Sequence, residues 1–107
     1  MSAPLSIRER LPVLEKLGLS PLEARLVTLP RLWVANCAEL EEAWRLPPGL
    51  YRDKRISESC GFWQGLWSAL RVHLEAGEHR EAEQLLDRAI ARVEPWPTEE
   101  AATRSRA

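Results

Sequence analysis

Cysteine, glutamate and histidine side chains can bind a metal ion, and this chain carries all three residue types. Cys37 and Glu41 are four residues apart, so a helix would place their thiol and carboxyl groups on one face. A divalent ion bound there would need a further ligand, which His73 or His79 would supply from a neighbouring helix. The simpler interpretation is that Cys37 is a small core residue, because a single cysteine on an apolar stripe is typical of a hydrophobic interior.

Cys60 is the second candidate for chemistry. It follows Ser57 and Ser59, either of which is a suitable first residue for a long helix, and the first turn of a helix favours the thiolate form. No acid or base in the sequence can be paired with this thiol, so no catalytic residue is assigned. His73 lies beside Phe62 on a wide apolar face, which favours a half-buried structural histidine with one hydrogen-bonded nitrogen.

The composition indicates a single small domain. The chain has 107 residues, a hydrophobic fraction of 45% and a net charge of -1, whereas general binders of nucleic acid or membrane surfaces are usually basic. Two cysteines are too few for a disulfide scaffold, and no apolar run reaches the roughly 18 residues of a membrane span. We therefore expect a cytoplasmic protein with no membrane partner and no nucleic-acid partner, and the composition assigns no cofactor.

Capping signals place the first three helices. Helices are predicted over residues 6–17 and 21–28, and each begins with the Ser-x-x-Glu spacing of a capping box. Pro30 is then expected to interrupt or sharply bend the helix, because a proline inside a helix removes a backbone donor. A third helix is predicted over residues 31–46 and ends before two prolines.

The remaining sequence predicts a loop followed by a helical hairpin. Residues 47–57, PPGLYRDKRIS, are expected to form the longest loop. A fourth helix is predicted to begin near residue 57 or 59 and to end at residue 76, and a fifth to span residues 79–93. So short a turn makes these two helices antiparallel. No segment alternates as a strand does, so we expect an all-α, compact bundle of four to five helices with a C-terminal antiparallel helical hairpin.

Residues 1–97 are predicted to form a single helical domain. Within it, residues 1–30 form N-terminal extension helices and residues 31–97 form the core. The polar segment TEEAATRSRA, residues 98–107, is expected to be a flexible tail.

One apolar stripe on the third helix is predicted to organise the bundle. At helical spacing, Trp33, Cys37, Leu40 and Trp44 share one face. Two tryptophans on one stripe make a large hydrophobic anchor, and we expect the other helices to pack against it.

Two glycines lie inside the predicted fourth helix. Gly61 and Gly65 would each cost about 1 kcal/mol relative to alanine in a helix interior. We therefore expect them, with Ser68, to form a ridge of small residues that lets another helix approach closely.

The tryptophan content predicts an interaction surface. Four of the five tryptophans fall in predicted helices: Trp33, Trp44, Trp63 and Trp67. So many aromatic side chains are difficult to bury in a bundle of this size, and surplus aromatic surface is typical of interfaces. These four side chains are therefore predicted to contact either a second copy of the chain or another protein.

Residues 33–96 resemble the bacterial family known as domain of unknown function 309. A helix of that family reads roughly F-x-E-x-H-E-x-L-E-x-x-W, and W-V-A-N-C-A-E-L-E-E-A-W in this chain shares Leu40, Glu41 and Trp44. Further matches lie in the next two helices and just after them: Gln64, Gly65, Leu66, Ala82, Leu85, Leu86, Ala89, and the ending Glu94, Pro95 and Trp96. The resemblance implies the same helical fold.

The family is often described as predicted metal-dependent hydrolases because of its His-Glu pair. This chain has Cys37 and Ala38 at those two positions. The resemblance therefore implies, at most, an altered site with a divalent metal ion, for which Cys37, Glu41 and His73 are the candidate ligands.

Three functions follow from these observations. The leading prediction is a non-enzymatic helical module that associates with itself or with another protein. The first alternative is a metal-dependent hydrolase with an altered site. The second is a helix-turn-helix DNA-binding protein over residues 38–56, in which Arg52, Lys54 and Arg55 would contact phosphate, but the break at Pro47 and Pro48 disfavours it.

Overall fold

Five α-helices make up residues 5–94, the part of the chain that this computed structural model describes. They are α1 (Ile7–Lys16), α2 (Pro21–Val27), α3 (Leu29–Trp44), α4 (Leu50–Glu75) and α5 (His79–Val93). No strand occurs between residues 5 and 94, and the predicted all-α bundle is confirmed. The predicted flexible tail, residues 98–107, lies outside the described residues.

Capping boxes begin α1 and α2, as predicted. The Ser6 hydroxyl accepts a hydrogen bond from the Glu9 backbone N–H at 3.2 Å, and the Glu9 carboxylate accepts one from the Ser6 N–H at 3.0 Å. Ser20 and Glu23 repeat the arrangement at 3.1 Å and 2.9 Å. The hydrogen bonds to the serine backbone, followed by those to its side chain, lower the pKa of both glutamates from the ordinary value of 4.5.

The two ends of the described chain are joined by Glu94. Its carboxylate accepts hydrogen bonds from the backbone N–H groups of Ile7 at 2.8 Å and Arg8 at 3.2 Å. These donors belong to the first turn of α1, where backbone N–H groups have no partner within the helix. A carboxylate also interacts favourably with the positive end of the helix dipole, so the residue after α5 fixes the start of α1.

The hydrophobic core is built around α5, which packs against α2, α3 and α4. The α4–α5 turn passes through Gly77, whose positive φ of 73° suits glycine, and makes the antiparallel hairpin that the sequence predicts. The buried core residues are Ile7, Leu32, Leu66, Leu70, Ala82, Leu86, Ala89 and Ile90. Because Ile7 is among them, α1 contributes to the same core as the three later helices.

An ion-pair network on the outside of the bundle links α2 to α1 and α5. The Arg25 guanidinium lies 2.6 Å from the Asp87 carboxylate, 3.7 Å from that of Glu15 and 3.9 Å from that of Glu83. Single surface pairs contribute about 0–1 kcal/mol, but a guanidinium shared by three carboxylates also orients the helices that carry them.

The predicted loop over residues 47–57 is wrong, because α4 already begins at Leu50. The basic residues there lie on a helix surface: the Lys54 ammonium and the Arg55 guanidinium are each 3.9 Å from the Glu58 carboxylate. Pairs at spacings of three and four support a helix, so these charged residues favour an α4 that begins before Ser57.

The early start of α4 also changes the surroundings of Ser59 and Cys60. Ser59, predicted as one of two helix-starting residues, is fully buried inside the helix. Cys60 is exposed in the middle of α4, so the prediction that it lies in the first turn is wrong.

The glycines inside α4 do not mark a close helix contact. A Cβ atom added at Gly61 or Gly65 would meet nothing within 4 Å, so the predicted close approach is wrong. Both residues instead line an open groove between α4 and α5, together with Phe62 and Arg88.

We expect Gly61→Ala and Gly65→Ala each to raise the free energy of unfolding by about 0.5–1 kcal/mol, because alanine favours the helix and meets no neighbour. Urea denaturation measures this change. Gly18→Ala is the control: Gly18 also has open space, but its φ of 104° strains an alanine, so this variant should be destabilised. Destabilisation by the two α4 substitutions would contradict the open surroundings described here.

We expect the capping carboxylates to make stability depend on pH in the acidic range. Because the folded state lowers the pKa of Glu23 below 4.5, its contribution is present above that pH and is lost as the pH falls through the lowered value. Glu23→Gln should therefore destabilise the protein near pH 7, and its difference from the wild type should shrink near about pH 3. Urea denaturation at both pH values tests this, and a difference that does not change with pH would contradict it.

Candidate functional site

The buried face of α3 is not the predicted tryptophan stripe. Leu32, Asn36 and Ala43 are the residues of α3 that the bundle buries. This face is turned by one residue, about 100°, from the stripe that begins at Trp33 and ends at Trp44. Those two side chains remain 47% and 57% exposed, so the expectation that the stripe anchors the bundle is wrong.

Three tryptophans lie on one side of the α3–α4 pair, which we call the tryptophan face: Trp33, Trp63 and Trp67. The rings of Trp33 and Trp63 lie 4.9 Å apart at an interplanar angle of 55°, a tilted contact between the two helices. Trp67 follows Trp63 by four residues on the same side of α4 and is 52% exposed. Trp63 is half-buried and packs against the core, so it supports the exposed Trp33 ring that contacts it.

Trp44 lies at the other end of the α3–α4 pair. The Arg52 guanidinium stacks over its ring, 5.1 Å from the centroid. Such a cation–π contact covers one face of the indole and leaves the rest exposed. Trp44 is therefore separate from the tryptophan face, although it was predicted to share its role.

The opposite side of the α3–α4 pair is covered by α5. The Arg92 guanidinium lies 4.4 Å from the centroid of the Phe62 ring and 2.8 Å from the Glu39 carboxylate. Phe62 precedes Trp63 by one residue, which turns the two rings about 100° apart around α4. The tryptophan face is thus directed away from α5.

A groove continues the tryptophan face toward the end of α4, and we call it the α4 groove. It has a volume of about 320 Å³ and is lined by Trp67, Leu70, Arg71, Leu74 and Glu75. Leu70 is almost fully buried and forms its floor, whereas Leu74 is 36% exposed. The Arg71 guanidinium donates a hydrogen bond to the Glu75 carboxylate at 3.0 Å across its rim. The sequence pattern placed these residues on a helix but did not single out the groove.

The candidate metal ligands are not brought together. Trp33 contacts Trp63, and Trp44 contacts Arg52, so α3 and α4 run antiparallel. In this alignment Cys37 on α3 lies level with Ser59 on α4. His73 is fourteen residues further along α4, about 21 Å away at 1.5 Å per residue.

The half-buried His73 has a partner of its own. Its Nδ1 lies 3.2 Å from the Glu78 carboxylate, which fits the structural histidine favoured by the sequence. Between residues 5 and 94, no three His, Cys, Asp or Glu side chains are grouped closely enough to hold a metal ion. The geometry therefore gives no support to a site that includes Cys37, Glu41 and His73.

The basic residues proposed for DNA contact are engaged with acids. Arg52 lies 3.8 Å from the Asp53 carboxylate, and Lys54 and Arg55 both approach Glu58. Phosphate binding would have to compete with these pairs.

In the part of the chain that the structure describes, no helix is long and apolar enough to cross a membrane.

We expect Trp67→Ala and Leu70→Ala to differ strongly in stability, although the two residues are three apart on α4. Trp67 is half exposed, so its removal should cost about 1 kcal/mol or less, whereas removal of the buried Leu70 should cost about 2–5 kcal/mol. Denaturant unfolding gives both values. A larger loss for Trp67 than for Leu70 would mean that the tryptophan belongs to the core.

No protein-family model matches this chain, and no curated protein or solved structure shows significant similarity to it. The resemblance to domain of unknown function 309 therefore rests on the quoted residues alone and stays a prediction.

Proposed function

We propose that this protein is a non-enzymatic helical module that binds a protein partner through the tryptophan face. The observation that carries the proposal is the exposure of Trp33 and Trp67, about half of each side chain, on either side of the supporting Trp63. Tryptophans presented by rigid helices are typical of the residues that dominate binding energy at interfaces.

Covering this surface would supply part of the energy of binding. A buried tryptophan contributes about 150–250 Å², so the exposed halves of Trp33 and Trp67 offer roughly 100 Å² each. At about 25 cal/mol per Å², covering them gives roughly 2–3 kcal/mol per residue. Because both rings are held by helices, little side-chain freedom is lost on binding.

The resemblance to domain of unknown function 309 is retained as a proposal for the origin of the fold. It does not supply a working hydrolase site: Cys37 and Glu41 are adjacent on α3, but a third ligand is lacking among the described residues.

We also propose a cytoplasmic setting, because Cys37 and Cys60 are both free thiols.

The experiment uses a photocrosslinking amino acid at Gln64, an exposed residue one turn before Trp67, in the full chain expressed in its native host. Gln84, exposed on α5, is the matched control. We expect a discrete crosslinked product from position 64 and none from position 84, and we expect Trp33→Ala or Trp67→Ala to abolish it.

The identity of the crosslinked chain by mass spectrometry separates self-association from binding to a different protein. No product from position 64, or the same product from position 84, would overturn the proposed function.

A further inference from the structure

The last turns of α4 extend beyond the start of α3. In the register set by Trp33 and Trp63, the first residue of α3, Leu29, lies level with Trp67. From Trp67 to Glu75, the side of α4 directed away from α5 is therefore not covered by α3. This is the position of the α4 groove, with Trp67 and Leu74 exposed along it.

The two charged residues of this groove are complementary to the same two residues of a second copy whose α4 runs antiparallel. Arg71 and Glu75 are one turn apart, and their side chains are 73% and 67% exposed. An ion pair this exposed contributes little within one chain and is free to exchange partners. A two-fold axis that sets two such helices antiparallel brings each arginine against the glutamate of the other copy, which is the reciprocal arrangement of an isologous interface.

We propose that the occupant of the α4 groove is a second copy of this chain, related by a two-fold axis, with Arg71 paired to Glu75 of the second copy and Glu75 paired to its Arg71. This inference rests on the proposed function and names the partner that binds the Trp67 end of the tryptophan face. Pairing of residues 71 and 75 puts residue 73 level with the axis. The Leu74 side chains of the two copies then meet beside it, and each Trp67 lies level with residue 79 of the other copy, beside the turn between its α4 and α5.

Reciprocal pairing predicts a specific result from charge reversal. In a dimer of Arg71→Glu, both contacts place glutamate against glutamate, and in a dimer of Glu75→Arg both place arginine against arginine. A mixture of the two variants places glutamate against arginine at both contacts. An ion pair within one chain would not respond to mixing, so the mixture distinguishes the two arrangements.

The test is sedimentation velocity of the full chain over a concentration series. We expect the wild type to form dimers, each single variant to dimerise roughly tenfold more weakly or worse, and the equimolar mixture to recover dimers. Lys54→Glu is the matched control, because Lys54 and Glu58 form an ion pair with the same spacing at the other end of α4, and it should dimerise as the wild type does. Circular dichroism confirms that each variant folds.

A wild type that stays monomeric, or a mixture that stays as weak as its components, would overturn this inference. A crosslinked product from Gln64 that contains a different protein, together with a monomeric wild type, would leave the proposed function standing and remove the second copy as the partner. Absence of both the crosslinked product and the dimer would overturn the proposed function as well as this inference.

Discussion

The packing of α5 against α2 and the α3–α4 pair is the contact that sets the orientation of every other helix. Leu86 and Ile90 lie almost completely inside the bundle, at 0% and 2% exposure. Because α5 occupies one side of the α3–α4 pair, α3 turns Leu32 and Ala43 inward and leaves Trp33 on the outside. The exposed aromatic surface is thus a consequence of how the helices pack, and the core is complete without it.

The two sides of the α3–α4 pair have different chemistry for this reason. Toward α5, the Arg92 guanidinium covers Phe62 and pairs with Glu39, so both the ring and the charges have partners within the chain. On the other side, Trp33 and Trp67 have large exposed areas, and the Trp33 ring contacts the indole of Trp63. A surface that is rigid, apolar and flanked by charges is suited to a protein partner, since binding would cover it without reorganising the bundle.

The signals that operate within a few residues were read correctly from the sequence. The Ser-x-x-Glu spacing begins α1 and α2, and the short turn at Gly77 makes α4 and α5 antiparallel, as predicted. Ser57 and Ser59 are good capping residues and favour a helix that starts at them, whereas the ion pairs of Glu58 with Lys54 and Arg55 support the earlier start that α4 has. Ser59 is fully buried inside α4, and burial of this kind depends on packing between helices, which no local pattern reports.

The amino-acid pattern alone was therefore sufficient for the helical class, the hairpin of α4 and α5, and the presence of more tryptophan than a small core can hold. It was insufficient to predict on which face of the bundle the exposed tryptophan side chains lie. A stripe from Trp33 to Trp44 and a face of Leu32, Asn36 and Ala43 lie about 100° apart on the same helix, and hydrophobicity favours the first. The bundle buries the second because smaller side chains let α3 pack against two neighbours at once. That choice depends on contacts between helices distant in sequence, and it turns the predicted anchor into the exposed face proposed here as the binding surface.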